Sequence, residues 1–193
     1  MTISAAGSTG ADLPISWASL SAESGGDPTR EWRRRHAEMT VRSNGVCPPG
    51  LELTFVLAFA CDVLATAGAY AAALGPWLLD LSPEQVSFAL AEPWTHPREV
   101  RLRRGSFAVE ADPDARRERA RAAYETVAVP FADGYATDAR MSSHQRRGIV
   151  ADTWDLAWAR ATGTGVVQRE ACCLIYALPG CHECAGCPRL RPT

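Results

Sequence analysis

Five of the seven cysteines in this 193-residue chain crowd into its tail: Cys172, Cys173, Cys181, Cys184 and Cys187. A cluster that dense in an otherwise cysteine-poor chain is the signature of a metal site. Thiolates bind soft and borderline metals, and four of them suit either zinc or an iron–sulfur cluster. Cys184 and Cys187 form a C-x-x-C pair whose intervening Ala-Gly lets both sulfurs converge. Cys172 and Cys173 are adjacent, which is unusual. Successive side chains of a strand point to opposite faces, so two neighbouring sulfurs reach one centre only where the backbone bends.

Several assignments compete for these thiols. Cys172, Cys173, Cys184 and Cys187 form one quartet, with Cys181 left over. A structural zinc site could instead use Cys181, Cys184, Cys187 and one of the vicinal pair. The run Cys181-x-x-Cys184-x-x-Cys187-Pro188 is close to a [4Fe–4S] ferredoxin run, but its fourth cysteine is not at the required spacing. A vicinal disulfide between Cys172 and Cys173 would be strained. A secreted disulfide scaffold fits poorly, because the chain is long enough for a core and its cysteine count is odd.

The quartet C-C-x10-C-x2-C resembles the C-terminal motif of the FhuF-type ferric-siderophore reductases, a family that carries a [2Fe–2S] cluster there. The neighbourhood is similar as well: Leu174-Ile175-Tyr176 after the vicinal pair, then Leu178-Pro179-Gly180, then C-A-G-C. The strong likeness covers the last 25 or so residues, and a looser one runs over the helical region from Leu53 to Ala161. Family members are usually longer than this chain. The resemblance implies a [2Fe–2S] cofactor held by Cys172, Cys173, Cys184 and Cys187, with Cys181 and His182 as lesser alternatives. Arg169 and Arg189 are the candidates to offset the charge of such a centre, together with backbone N–H groups of the Pro179–Gly186 loop.

Composition excludes other classes. Apolar residues make up 47% of the chain and the formal charge is -2, which suits a globular protein rather than a nucleic-acid binder or a disordered chain. Every basic residue is arginine, so Schiff-base chemistry and a P-loop lysine are excluded. No glycine-rich nucleotide loop is visible. His36, His96 and His144 are isolated, and read as satisfied or exposed histidines rather than catalytic ones.

The expected fold is mainly α: a single helical domain with a few short strands and a C-terminal [2Fe–2S]-binding hairpin or loop. Residues 1–28 read as a flexible arm with a short helix near Leu13 to Ser21, residues 29–165 as the helical domain, and residues 166–193 as the cluster-binding segment. Thr29 caps a helix from Arg30 to Met39, and the Arg33, Arg34, Arg35 run reads as a solvated face. Leu51 to Leu81 is long enough to span a bilayer. Asp62 near its middle and its many alanines point instead to a buried central helix that Gly75-Pro76 ends. Cys61 reads as a small buried hydrophobe and Cys47 as a loop thiol. Ser82-Pro83 looks like a helix start. Val100 to Val109 alternates as strands do, and Arg101, Arg103 and Arg104 read as a charged edge. Ala115 to Val127 reads as a helix broken by Pro130. Ser142 or Ser143 caps another from His144 to Ala161, with Ile149, Val150, Thr153, Trp154, Ala157 and Trp158 on its buried face. Leu174 to Leu178 is expected to form a short strand, with Pro179-Gly180 as its turn.

The resemblance implies one-electron reduction of a ferric siderophore, with release of Fe(II). The partners it implies are the chelate and an external donor: a reductase, ferredoxin or flavodoxin. No flavin or nicotinamide site is visible, and neither a nucleic-acid partner nor a stable membrane span is expected. The expected location is cytoplasmic, with peripheral association at the inner membrane as an option. Three alternatives stay open: an electron carrier, a redox or iron sensor for a partner enzyme, and a structural zinc protein.

Overall fold

The long apolar run becomes the hub of the molecule. The computed structural model describes residues 2–5, 15–21, 27–103, 107–136 and 139–190. In chain order these form β1 (Thr2–Ala5), β2 (Ile15–Ser16), α1 (Trp17–Ser21), α2 (Arg30–Asn44) and α3 (Leu51–Leu74). Then follow β3 (Trp77–Leu79), β4 (Val86–Leu90), β5 (Pro97–Leu102), β6 (Phe107–Val109), α4 (Pro113–Gly134) and α5 (Ser143–Thr162).

Helix α3 packs most extensively on α5, then on α4 and α2. It is long and apolar enough to cross a membrane by length and composition. Here its neighbours cover it, and Val63 to Gly68 are buried without interruption around a full turn and more. Small residues make that possible, since alanine and glycine let helix axes approach. A Cβ on Gly68 would meet Leu81 at 3.1 Å and the Trp154 ring at 3.4 Å. Asp62 lies at the edge of this helix, ion-paired to Arg160 of α5 and accepting from Thr66 Oγ1 at 3.0 Å. The helix ends at Gly75, before Pro76, as the sequence indicates.

The core gathers Trp17, Leu57, Leu64, Tyr124, Ile149 and Trp154, all fully buried. Burial of each such side chain contributes about 1.5–3 kcal/mol. Two buried tyrosines tie the helices together through carbonyls: Tyr124 donates to Val150 O at 2.9 Å and Tyr135 to Leu53 O at 3.0 Å. Trp154 lies in the core and Trp158 packs against its edge, stacked at 6.2 Å.

A small sheet of order β1-β5-β4-β2 flanks the helices, and β3 pairs with β6 in a separate ribbon. Within the stretch read as a flexible arm, Thr2–Ala5 runs parallel to β5 and Trp17 is fully buried. Residues 1, 6–14 and 22–26 of that arm, and Arg104, lie outside the described residues.

Three local expectations are corrected. Ser82-Pro83-Glu84 makes only one 3-10 turn, closed by Gln85 N–H to Ser82 O at 2.9 Å. The following V-S-F-A-L run then extends as β4, because it pairs with β2 and β5 on its two sides. Helix α4 runs through Pro130 to Gly134. Breaking there would cost the burial of Phe131, Ala132 and Tyr135, which outweighs the roughly 3 kcal/mol penalty of an internal proline. Helix α2 continues past Met39 to Asn44, and Asp27 takes the Thr29 N–H at 2.9 Å while Thr29 makes no side-chain cap. Its Arg33, Arg34 and Arg35 are engaged in ion pairs with Asp27, Glu31, Glu38 and Glu92.

Candidate metal centre

The tail is seated by one face of α5. Ser142 caps this helix, accepting from Gln145 N–H at 3.1 Å, and Gly163 ends it at φ 69°. The chain then turns back along the helix. Gly148 and Asp152 stand four residues apart and so share a face. Asp152 is buried and accepts two backbone N–H groups, from Glu170 at 2.7 Å and Ala171 at 3.0 Å. At Gly148 the helix surface has no side chain, and a Cβ there would meet that of Ala171 at 3.2 Å. The backbone just before the vicinal cysteines is therefore fixed from below. Hydrogen bonds to a charged acceptor contribute about 1.5–3 kcal/mol each.

The bend that adjacent sulfurs require comes one residue later. Leu174 has φ 63°, a left-handed conformation that a leucine adopts only at a cost of about 1–2 kcal/mol. Its methyl group lies 3.5 Å from where a Cβ on Gly50 would stand, at the start of α3. The expected strand from Leu174 to Leu178 is absent: Ile175–Ala177 forms a 3-10 turn, with Ala177 N–H bonded to Leu174 O at 3.0 Å. Its backbone donors are used within the turn rather than on a neighbouring strand. Gly180, at φ 74°, completes the expected turn, and Cys181 N–H bonds to Leu178 O at 3.1 Å.

The C-x-x-C pair is brought in by backbone contact. Cys187 N–H bonds to Cys184 O at 2.9 Å, closing a tight turn. Arg169 N–H bonds to Gly186 O at 2.9 Å. Glycine is required at this point, because a Cβ on Gly186 would stand 1.9 Å from Val167 O. The turn is thereby stitched to the irregular segment that leads into Cys172.

All seven cysteines are free thiols, and Cys187 is the buried member of the tail group. The Cys172 thiol lies against that of Cys187; burial, with the Cys187 and Cys173 sulfurs close by, pushes it up from its ordinary value. Cys173 and Cys184 both face Arg169 and line one cavity. Burial works against the Arg169 charge, but Cys173, Asp152 and Cys184 hold its pKa raised. Among the described residues, no three His, Cys, Asp or Glu side chains converge as one metal ion would require. A two-iron cluster asks for a different arrangement, with two ligands on each iron. The chemistry of the donors suits it: the Cys172 thiol lies against that of Cys187, and Cys173 and Cys184 share the Arg169 cation. Since the thiolate is the ligand, loading such a site releases protons.

Residues 169–189 match the model of the FhuF 2Fe-2S C-terminal domain. The cofactor that this domain implies is a [2Fe–2S] cluster. The match is confined to the tail, and no curated protein and no solved structure matches the chain. The matched stretch begins at Arg169, the residue that faces Cys173 and Cys184, and ends at Arg189.

Other sequence candidates are placed as follows. Arg189 stacks on Tyr176 with its guanidinium 4.1 Å from the ring centre, donates to the Tyr176 hydroxyl at 3.1 Å and pairs with Glu183 at 3.6 Å. It braces the loop between the two cysteine pairs. His182 is exposed and Cys181 half-buried. Cys61 is fully buried, its thiol pushed up to about 12 by burial, as a small apolar residue would be. Cys47 lies beside Glu52. His36 is buried, with Nδ1 2.9 Å from Thr95 Oγ1. Sequence reasoning missed Asp152 and Gly148. A carboxylate and a glycine on the otherwise apolar face of α5 were the signal.

Proposed function

We propose that this protein reduces ferric siderophores by one electron, so that iron leaves as Fe(II). The observation that carries the reading is the match of residues 169–189 to the FhuF 2Fe-2S C-terminal domain, joined to a quartet of free thiols beside an open cavity. Cys172, Cys173, Cys184 and Cys187 are the proposed ligands. When bound, a [2Fe–2S] cluster supplies a store for one electron at a time. Its four thiolates and oxidised core carry a charge of about -2, which this chain must balance. Arg169 is placed to do so beside Cys173 and Cys184, and Asp152 orients it through its Nε at 3.4 Å. Siderophores hold Fe(III) through hard oxygen donors, and reduction to Fe(II) weakens those bonds. Cys173 and Cys184 line the cavity and are half-buried, so that side of the site is open to a bulky acceptor.

The electron comes from an external donor, a reductase, ferredoxin or flavodoxin. A cytoplasmic location belongs to the proposal, since seven unpaired thiols suit a reducing compartment. The test is anaerobic mixing of the reduced protein with ferric siderophores and an Fe(II) trap. Rapid reoxidation with stoichiometric Fe(II) supports the reading. A protein that reduces a partner carrier but no chelate is an electron carrier instead.

A further inference from the structure

The cavity beside Cys173 and Cys184 has features that no cluster ligation needs. Its volume is about 340 Å³, and its far wall comes from α3 and α5 rather than from the tail. Phe55 and Phe59 supply that wall, with ring centres 5.7 Å apart and edge to face. Behind them His36 stacks on Phe55 at 5.4 Å and meets Phe59 edge-on at 5.5 Å, which holds both rings in place. Opposite stands Arg160, whose guanidinium is ion-paired to Asp62 and lies 3.0 Å from Thr66 Oγ1. Its side chain is still 47% exposed, so donors remain for a ligand. Aromatic faces and an oriented cation converge on Cys173 and Cys184, the half-buried pair of cysteines that lines the cavity.

We infer that this cavity is the docking site for the ferric chelate, with Phe55 and Phe59 packing its hydrocarbon linker and Arg160 donating to its iron-bound oxygens. The inference rests on the reductase reading for the identity of the ligand. Pockets that bury a drug-sized ligand run to about 300–1,000 Å³. A cavity at the low end takes one arm of a hexadentate chelate and leaves the rest outside. An oxygen-donor chelate suits the lining, because its surface alternates apolar linkers with polarised oxygens. A guanidinium held by a carboxylate keeps its remaining N–H groups aimed, so little side-chain entropy is lost on binding. The other opening beside Cys184, between α5 and the Val166–Gly186 segment, has no aromatic wall.

The test separates docking from electron transfer by using gallium(III), which takes the same oxygen donors and is not reduced. The cluster-loaded protein is titrated with the gallium complexes of a trihydroxamate and a tris-catecholate, followed by calorimetry. Phe59→Leu and Arg160→Gln are compared with the parent. Helical content, iron content and reoxidation by ferricyanide serve as controls on folding and loading. The expected result is saturable binding of at least one gallium chelate, weakened about tenfold in each variant while the controls stay unchanged. Binding that is equal in parent and variants overturns the site, as does no binding of either chelate. A parent that binds gallium chelates here but never passes an electron to the ferric forms leaves the docking site standing and removes the reductase reading. Should Phe59→Leu lose helical content, Arg160→Gln decides alone, because its side chain is half exposed.

Discussion

The helical body and the tail of this protein are held together by different forces. In the body, α3 is buried nearly all round by α2, α4 and α5, and the cohesion is that of apolar surface against apolar surface. From Arg169 to Arg189 only Ala171, Gly186 and Cys187 are buried. That segment is fixed by backbone hydrogen bonds to Asp152, by Gly186 against Val167, and by a leucine in a left-handed conformation. The contrast teaches that the body can fold by its own packing, whereas the tail is shaped to present sulfur and is completed by what the sulfur binds. Amide exchange is expected to show opening near the global free energy in the body and at much lower cost in the tail.

Substitution of ligands should divide the two regions most sharply. Cys184→Ser or Cys187→Ser is expected to abolish bound iron and visible absorption while leaving the helical circular dichroism intact; Cys181→Ser is expected to retain both. Iron loss in Cys181→Ser would move the boundary of the site. Asp152→Ala comes next, because it strands two backbone N–H groups and removes the carboxylate paired with Arg169. Removing one partner of a buried ionic network costs about 3–5 kcal/mol. Amide exchange should accelerate at residues 169–172, and Asp152→Asn, which keeps an acceptor, should lose less. Gly186→Ala must displace a carbonyl, at an expected cost of about 1–3 kcal/mol confined to the tail. Limited proteolysis with and without bound iron would show it. Among the charges, Arg169→Gln should lower the cluster's midpoint potential more than Arg189→Gln, since Arg169 faces two of the cysteines and Arg189 faces Tyr176. Equal shifts would mean that Arg189 acts on the centre as well.

The smallest effect belongs to the body. Burial lowers the pKa of His36 from 6.5, so below that pH the unfolded chain takes up a proton that the folded one resists. Stability contributed by neutral His36 is complete above about pH 6.5 and declines as pH falls toward the folded-state value. The decline should shrink in His36→Gln, measured by thermal unfolding between pH 7 and pH 5.

How much of this could be read from the chain alone follows the same division. The tail was legible as a [2Fe–2S] segment because ligand chemistry gathers cysteines within a short stretch of chain, and the apolar run with its Gly75-Pro76 end was legible because helix physics is local. The strand at Thr2–Ala5 was not, since its partner lies almost a hundred residues away. Pro130 misled because the penalty is local and the compensation, burial of Phe131 and Tyr135, is tertiary. The β4 strand was hidden behind a Ser-Pro-Glu that reads equally as a helix start or a single turn. Asp152 carried a visible anomaly, a carboxylate among Ile149, Val150, Thr153 and Trp154, yet only the fold shows that it receives the N–H groups of Glu170 and Ala171.

The central claim is that the tail thiols hold two irons bridged by sulfide, and elemental analysis joined to EPR tests it most directly. Anaerobically purified protein should contain iron and acid-labile sulfide in equal amounts, about two of each per chain, and should give an S = 1/2 signal after one-electron reduction. That signal should vanish in Cys184→Ser. Stoichiometric zinc without sulfide, in a colourless protein silent by EPR, would contradict the account.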